Sequence, residues 1–253
     1  MNVLVRLLVC LFCLAPLAPG AAAADFSGWT ALVVAGDWQA EEGGPTKVFD
    51  NGRRAVADEL VGLGFAPSSV LQYSAWPDQE PGRQPEPSLK RRLWDGLLTY
   101  AGRAKGGCFV YLTSHGSDEG IVLGEGELSP SELASMLANT CGSRPTVVIV
   151  SACYSGVFVP ALKAPNRFVF TAAAADRSSF GCGAMDKYTY FDACVVTWLP
   201  RSGDFAAFGR RVQACVRARE KKAHVALSSH PQLFLGAEVA AFPRWSPQRV
   251  GPP

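Results

Sequence analysis

Residues Thr146–Val150 are β-branched at all five positions, and the run stops at Ser151-Ala152-Cys153. A short β-branched run bounded by small turn residues is a strand, and a strand apolar on both faces must be covered on both faces. Thr30–Ala35 and Cys108–Thr113 have the same character, and shorter apolar runs follow at Val70–Tyr73, Arg167–Ala172 and Gln232–Leu235. Between them, apolar residues recur at helical spacing over Lys47–Leu63, Tyr188–Leu199 and Asp204–Lys222. A further helix is expected from a Ser88 cap to about Arg103. Another is expected from Ser129 to about Asn139, where Ser129, Pro130 and Glu132 form a capping-box pattern. Gly116–Glu127 is glycine-rich and reads as a hairpin. Buried strands alternating with amphipathic helices require a mostly parallel sheet joined by right-handed crossovers, an α/β domain with helices on both faces.

A chain of 253 residues, 48% of them apolar, can bury one such core. The expected domain runs over residues 25–241. Trp76–Pro87, with four prolines, reads as a surface loop, and residues 242–253 as a proline-rich disordered tail. Residues 1–24 have the pattern of a cleavable export signal: Arg6, an apolar run from Leu7 to Ala15, a Pro/Gly break, then Ala21–Ala24. That run is too short to span a bilayer, so no stable membrane anchor is expected, and the destination is periplasmic or extracellular. A formal net charge of +2 gives no sign of nucleic acid as a partner.

Of eight cysteines, Cys10 and Cys13 lie in the leader, which leaves Cys108, Cys141, Cys153, Cys182, Cys194 and Cys215. Export favours disulfides, and no close Cys/His pairing suggests a metal or other cofactor. Cys108 with Cys141 is the favoured bridge, since both would lie on the amino edge of the sheet. Cys194 with Cys215, on consecutive helices, is the other candidate.

In an open parallel sheet the ligand crevice lies beyond the carboxyl ends of the strands. His115 and Cys153 each follow such an end, and each is followed by small turn residues, Gly116-Ser117 and Ser155-Gly156. If the two strands are neighbours, an imidazole and a thiol come together. Sulfur attacks a carbonyl as the thiolate, and an adjacent imidazole takes its proton. The N–H groups of Gly116 and Cys153 are candidates for an oxyanion hole. Ser151 and Ser155 lack the G-x-S-x-G surroundings of a serine nucleophile, no phosphate-binding loop is present, and His224 and His230 read as solvated or turn residues.

The blocks Tyr111-Leu112-Thr113-Ser114-His115-Gly116 and Val150-Ser151-Ala152-Cys153-Tyr154-Ser155-Gly156 resemble the histidine and cysteine blocks of the legumain family of cysteine peptidases. The family includes asparaginyl endopeptidases and the catalytic subunit of GPI transamidase, and the likeness here is to an exported, bacterial-type member. The resemblance spans about Trp29 to Leu235 and implies a caspase-like three-layer fold with His115 and Cys153 as catalytic dyad. It further implies a substrate pocket with Asp192 as acidic wall, Ser179 in the backbone wall and Ser151 where relatives often carry an acid. Arg53 or Arg54 is the candidate donor to a substrate amide. The expected activity is hydrolysis of peptide or protein substrates through an acyl-thioester, after Asn in preference to Asp, Lys or Arg. The alternatives are a transpeptidase or amidase using the same dyad, or a catalytically silent binding module.

Overall fold

The computed structural model describes residues 23–76, 85–102, 104–124 and 126–247. The export signal read at residues 1–24 therefore lies outside the described residues, apart from its last two positions. Most of the proline-rich segment and residues 248–253 also lie outside them.

Seven strands form the central sheet, in the order β3 (Glu86–Pro87), β2 (Val70–Ser74), β1 (Trp29–Ala35), β4 (Gly107–Thr113), β7 (Thr146–Ser151), β8 (Arg167–Thr171) and β9 (Gln232–Leu235). All neighbours are parallel except β8 and β9, which run antiparallel. A separate antiparallel hairpin, β5 (Ile121–Leu123) with β6 (Gly126–Leu128), occupies the glycine-rich stretch.

The all-apolar strands serve two cores at once, because successive side chains point to opposite faces. Ala31, Val33, Phe109, Tyr111, Val147 and Ile149 pack under α1 (Val48–Gly62), α5 (Tyr190–Trp198) and α6 (Phe205–Lys222). Leu32, Val34, Val110, Leu112, Val148 and Val150 pack under α2 (Lys90–Ala101), α3 (Pro130–Thr140) and α4 (Phe158–Leu162). Ser129 and Glu132 form the full capping box at the start of α3. Ser88, expected as a cap, is not one. Its N–H donates to Ser74 O at 2.9 Å, which continues the edge pairing of β3, so α2 starts one residue later with Leu89 at its cap.

Three features depart from the expected outline. Glu86–Pro87, placed in a loop, is an edge strand, a position where proline lacks no needed donor. The short helix α4 was not foreseen. The core also continues past residue 241: the Trp245 ring lies 5.0 Å from Phe205 and 5.8 Å from Phe26, and Phe242 lies 5.2 Å from Trp29. Large aromatic surfaces with aromatic partners in reach outweigh the local proline content.

Candidate active site

Across four adjacent strands Ser74, Ala35, Thr113 and Ser151 pair in register, forming one row at the carboxyl edge of the sheet. His115 and Cys153 each lie two residues beyond that row, on neighbouring strands spaced ~4.8 Å apart. Their turns are in main-chain contact. A Cβ on Gly116 would stand 2.6 Å from Cys153 O and 2.9 Å from Ala152 Cβ, so only glycine fits there. Among the described residues neither the Gly116 nor the Cys153 N–H donates to a protein acceptor.

The imidazole is fixed from two sides. Nε2 lies 3.0 Å from Gln39 O, and because a carbonyl only accepts, Nε2 carries the hydrogen and Nδ1 is left to exchange a proton. The Phe49 ring stands edge-on to it at 5.1 Å. Neither partner was identifiable from sequence: Gln39 contributes only its main chain, and Phe49 reads as a core residue at the start of a helix.

The sulfur of Cys153 accepts the Ser179 N–H at 3.2 Å, with Ser179 O and Oγ each at 3.6 Å. The turn behind it is pinned to the loop after β8. Tyr154 takes a left-handed φ of 55° and donates its N–H to Arg177 O at 2.8 Å. Buried Ser155 donates to Ala152 O at 2.7 Å and accepts the Ala173 N–H at 3.1 Å. A Cβ on Gly156 would meet Ala175 N at 2.4 Å, so this glycine is required by close approach. Non-glycine residues at positive φ cost about 1–3 kcal/mol and persist where neighbours over-determine them, as they do at Tyr154.

Two expected pocket residues, Asp192 and Ser151, are buried. Asp192 is fully buried in the first turn of α5, where it accepts Tyr111 Oη at 2.5 Å and Thr113 Oγ1 at 2.7 Å. Its own N–H is capped by Thr189 Oγ1 at 3.0 Å. Burial pushes the Asp192 carboxyl above the usual aspartate range, and its hydroxyl donors pull in the opposite direction. Burial, with the facing Asp192, drives the Tyr111 phenol well up. A Cβ on Gly52 would stand 2.8 Å from Asp192 Oδ2, which accounts for a glycine in the interior of α1. Both carboxylate oxygens are thus spent on docking α5 against β4. Ser151 is likewise buried, 3.3 Å from Thr189 Oγ1. Neither side chain is exposed: Asp192 lies inside the packing of α5 on β4, and Ser151 ends β7 beneath Thr189. Arg53 is buried too, its Nε 2.9 Å from Asp50 Oδ1 and its Nη1 2.5 Å from Gln72 Oε1.

Beside Cys153 lies the second free thiol, Cys182, whose Sγ is 3.6 Å from Glu41 Oε2. Burial first, then Glu41 and Cys153, pushes this thiol up to about 12. Exposed Glu42 accepts the Ala184 N–H at 2.8 Å and Asp186 the Gly183 N–H at 3.0 Å, which gives this rim an acidic character. The four other cysteines among the described residues form both candidate bridges, Cys108–Cys141 and Cys194–Cys215. Among the described residues no group of three or more His, Cys, Asp or Glu could hold a metal ion, and no helix is long and apolar enough to cross a membrane. His224, in a turn, and His230, in the loop before β9, are both exposed and at positive φ.

The family model of the Peptidase C13 family matches residues 102–228, just over half of the chain and inclusive of both His115 and Cys153. The structure is similar to caspase-1 from Spodoptera frugiperda, with a TM-score of 0.60 at 12% identity, over 88% of this chain and 93% of that one. That likeness is one of fold. Among curated protein sequences none matches.

Proposed function

The chain belongs to the peptidase C13 family and is a cysteine-type peptidase of caspase-like fold, and on that premise we propose that Cys153 is its nucleophile and His115 its base. The observation that carries this reading is the equal two-residue overhang of His115 and Cys153 beyond the Thr113–Ser151 pair. The thiol proton passes to Nδ1 of His115, and the sulfur attacks the scissile carbonyl carbon. The oxyanion that forms meets the Gly116 and Cys153 N–H groups. Collapse of the tetrahedral intermediate expels the amine, which takes the proton from the imidazole and leaves an acyl-thioester. Water, giving a proton to His115, then attacks the thioester, and the thiol is restored as the acid departs.

The proposed preference at P1, the residue before the scissile bond, is Asn. Ser179 offers a donor, an acceptor and a hydroxyl around the sulfur, a set complementary to a carboxamide. The acidic rim of Glu41, Glu42 and Asp186 supports a cationic P1 instead, so the two preferences are distinguishable. Fluorogenic peptides varied only at P1 should be turned over fastest with Asn. Faster cleavage after Lys or Arg overturns the asparaginyl preference and leaves the dyad standing. Cys153→Ala and His115→Ala should each abolish turnover with thermal unfolding unchanged. A folded wild type that cleaves nothing in the panel marks the chain as a silent binding module. Export is also proposed, supported by the leader pattern at residues 1–24 and by two disulfides, which persist in oxidising compartments.

A further inference from the structure

Two tryptophans stand on the same edge of the sheet as the dyad. Trp38 lies three residues beyond Ala35 of β1, and Trp76 two residues beyond Ser74 of β2, so both overhang the same cross-strand row that His115 and Cys153 overhang. Their rings are 5.5 Å apart at an interplanar angle of 47°, Trp38 is 38% exposed and Trp76 is half-buried. Each is held from behind. Thr46 N–H donates to Trp38 O at 2.8 Å. Trp76 N–H donates to Ser74 Oγ at 3.0 Å, and that hydroxyl donates to Asp50 Oδ2 at 2.9 Å, which in turn pairs with buried Arg53. A buried ion pair is an expensive way to fasten a surface loop, and here it fixes the strand end that presents an indole.

The order of the strands gives the pair a direction. Along the edge the sequence of side chains is Cys153 after β7, His115 after β4, Trp38 after β1 and Trp76 after β2. In acyl transfer to sulfur the imidazole returns its proton to the leaving amine, so the leaving half of the substrate lies on the imidazole's side of the sulfur. Trp38 and Trp76 are farther along that side. Gln39, whose carbonyl holds the imidazole, is the neighbour of Trp38. At ~4.8 Å per strand the pair begins about 10 Å from the sulfur's strand, and an extended peptide covers that distance in the second or third residue after the scissile bond.

We propose that Trp38 and Trp76 form a subsite for a large apolar or aromatic side chain at the second or third residue on the leaving-group side of the substrate. The proposal rests on the dyad reading above. Indole faces with one side open to solvent favour apolar and aromatic partners over charged or small ones.

The test uses internally quenched peptides that share one P1 residue and carry Trp, Leu, Gly, Lys or Glu at the second or third leaving-side position. A substrate whose leaving group is an aminocoumarin, with no residues on that side, is run alongside. Wild type should prefer Trp or Leu over Gly by about tenfold in kcat/KM, the yield of burying one large apolar side chain. Trp38→Ala and Trp76→Ala should each flatten that ratio toward one. The ratio is read within each variant, so a loss of folded protein cancels. Equal rates for Trp, Leu and Gly in wild type overturn the subsite, as does a preference that survives both substitutions. No turnover of the aminocoumarin substrate by wild type indicts the dyad reading instead.

Discussion

The main-chain N–H of Ser179 donates to the sulfur of Cys153 over 3.2 Å, so the loop that follows β8 helps to set where that sulfur sits. A half-buried thiol so held differs from Cys182, which burial pushes up to about 12. Cys153 should be the first thiol alkylated at pH 8, with Cys182 far slower, because the thiolate is the reacting species. Mass spectrometry of a short iodoacetamide pulse reads the order. A first label on Cys182 contradicts the assignment.

Ser155 ties the cysteine turn to the segment after β8 through one hydroxyl with two partners. Ser155→Ala leaves the buried Ala173 N–H without an acceptor, an expected loss of about 1–3 kcal/mol in stability. Denaturant unfolding measures it, and the same variant should show slower alkylation of Cys153, since the turn that carries Tyr154 at positive φ is no longer clamped.

Asp192 makes a pH-dependent contribution whose sign follows from its raised pKa. The native state holds this proton more tightly than the unfolded chain does. The stability it adds is therefore greatest below the unfolded aspartate value and declines as pH rises through the raised folded value. Asp192→Asn removes the dependence, so the stability difference between wild type and variant should shift toward wild type as pH falls through that window. Thermal unfolding across pH 3.5–7 gives the comparison. The P1 preference of the variant should be unchanged; a switch in P1 preference with the fold intact would place Asp192 back in the pocket.

Cys108–Cys141 closes a loop of 33 residues and Cys194–Cys215 one of 21. Replacing either pair by serine should lower stability by about 3–4 kcal/mol. The check is the guanidinium midpoint with and without reductant. A wild type whose midpoint does not respond to reductant contradicts both bridges.

The local code of this chain is strong where one residue's chemistry decides the outcome. Thr146–Val150 has few alternatives to a buried strand, because β-branching and full apolarity leave it no exposed face. The Ser129–Glu132 cap is a contact between residues three apart, and it is legible for that reason. The placement of His115 and Cys153 beyond strand ends follows from the same local pattern, which is why the candidate dyad could be named before the fold was known. Register is another matter. That Thr113 meets Ser151, and that Ala35 and Ser74 continue the row, depends on how the seven strands twist and pack together, and no local pattern records it. Asp192 shows the consequence. The resemblance reads it as a pocket wall; in the structure it anchors α5, through a hydroxyl that Tyr111 brings from 81 positions away. Gln39 is the extreme case: its contribution to the imidazole is a carbonyl that every residue type carries, so side-chain identity held no information about it. Sequence alone determined most of the strands and helices, though not β3 or α4, and singled out the two residues with reactive side chains. Tertiary structure alone decided which backbone groups and buried partners surround them, because those contacts join segments whose separation along the chain is far longer than any local preference reaches.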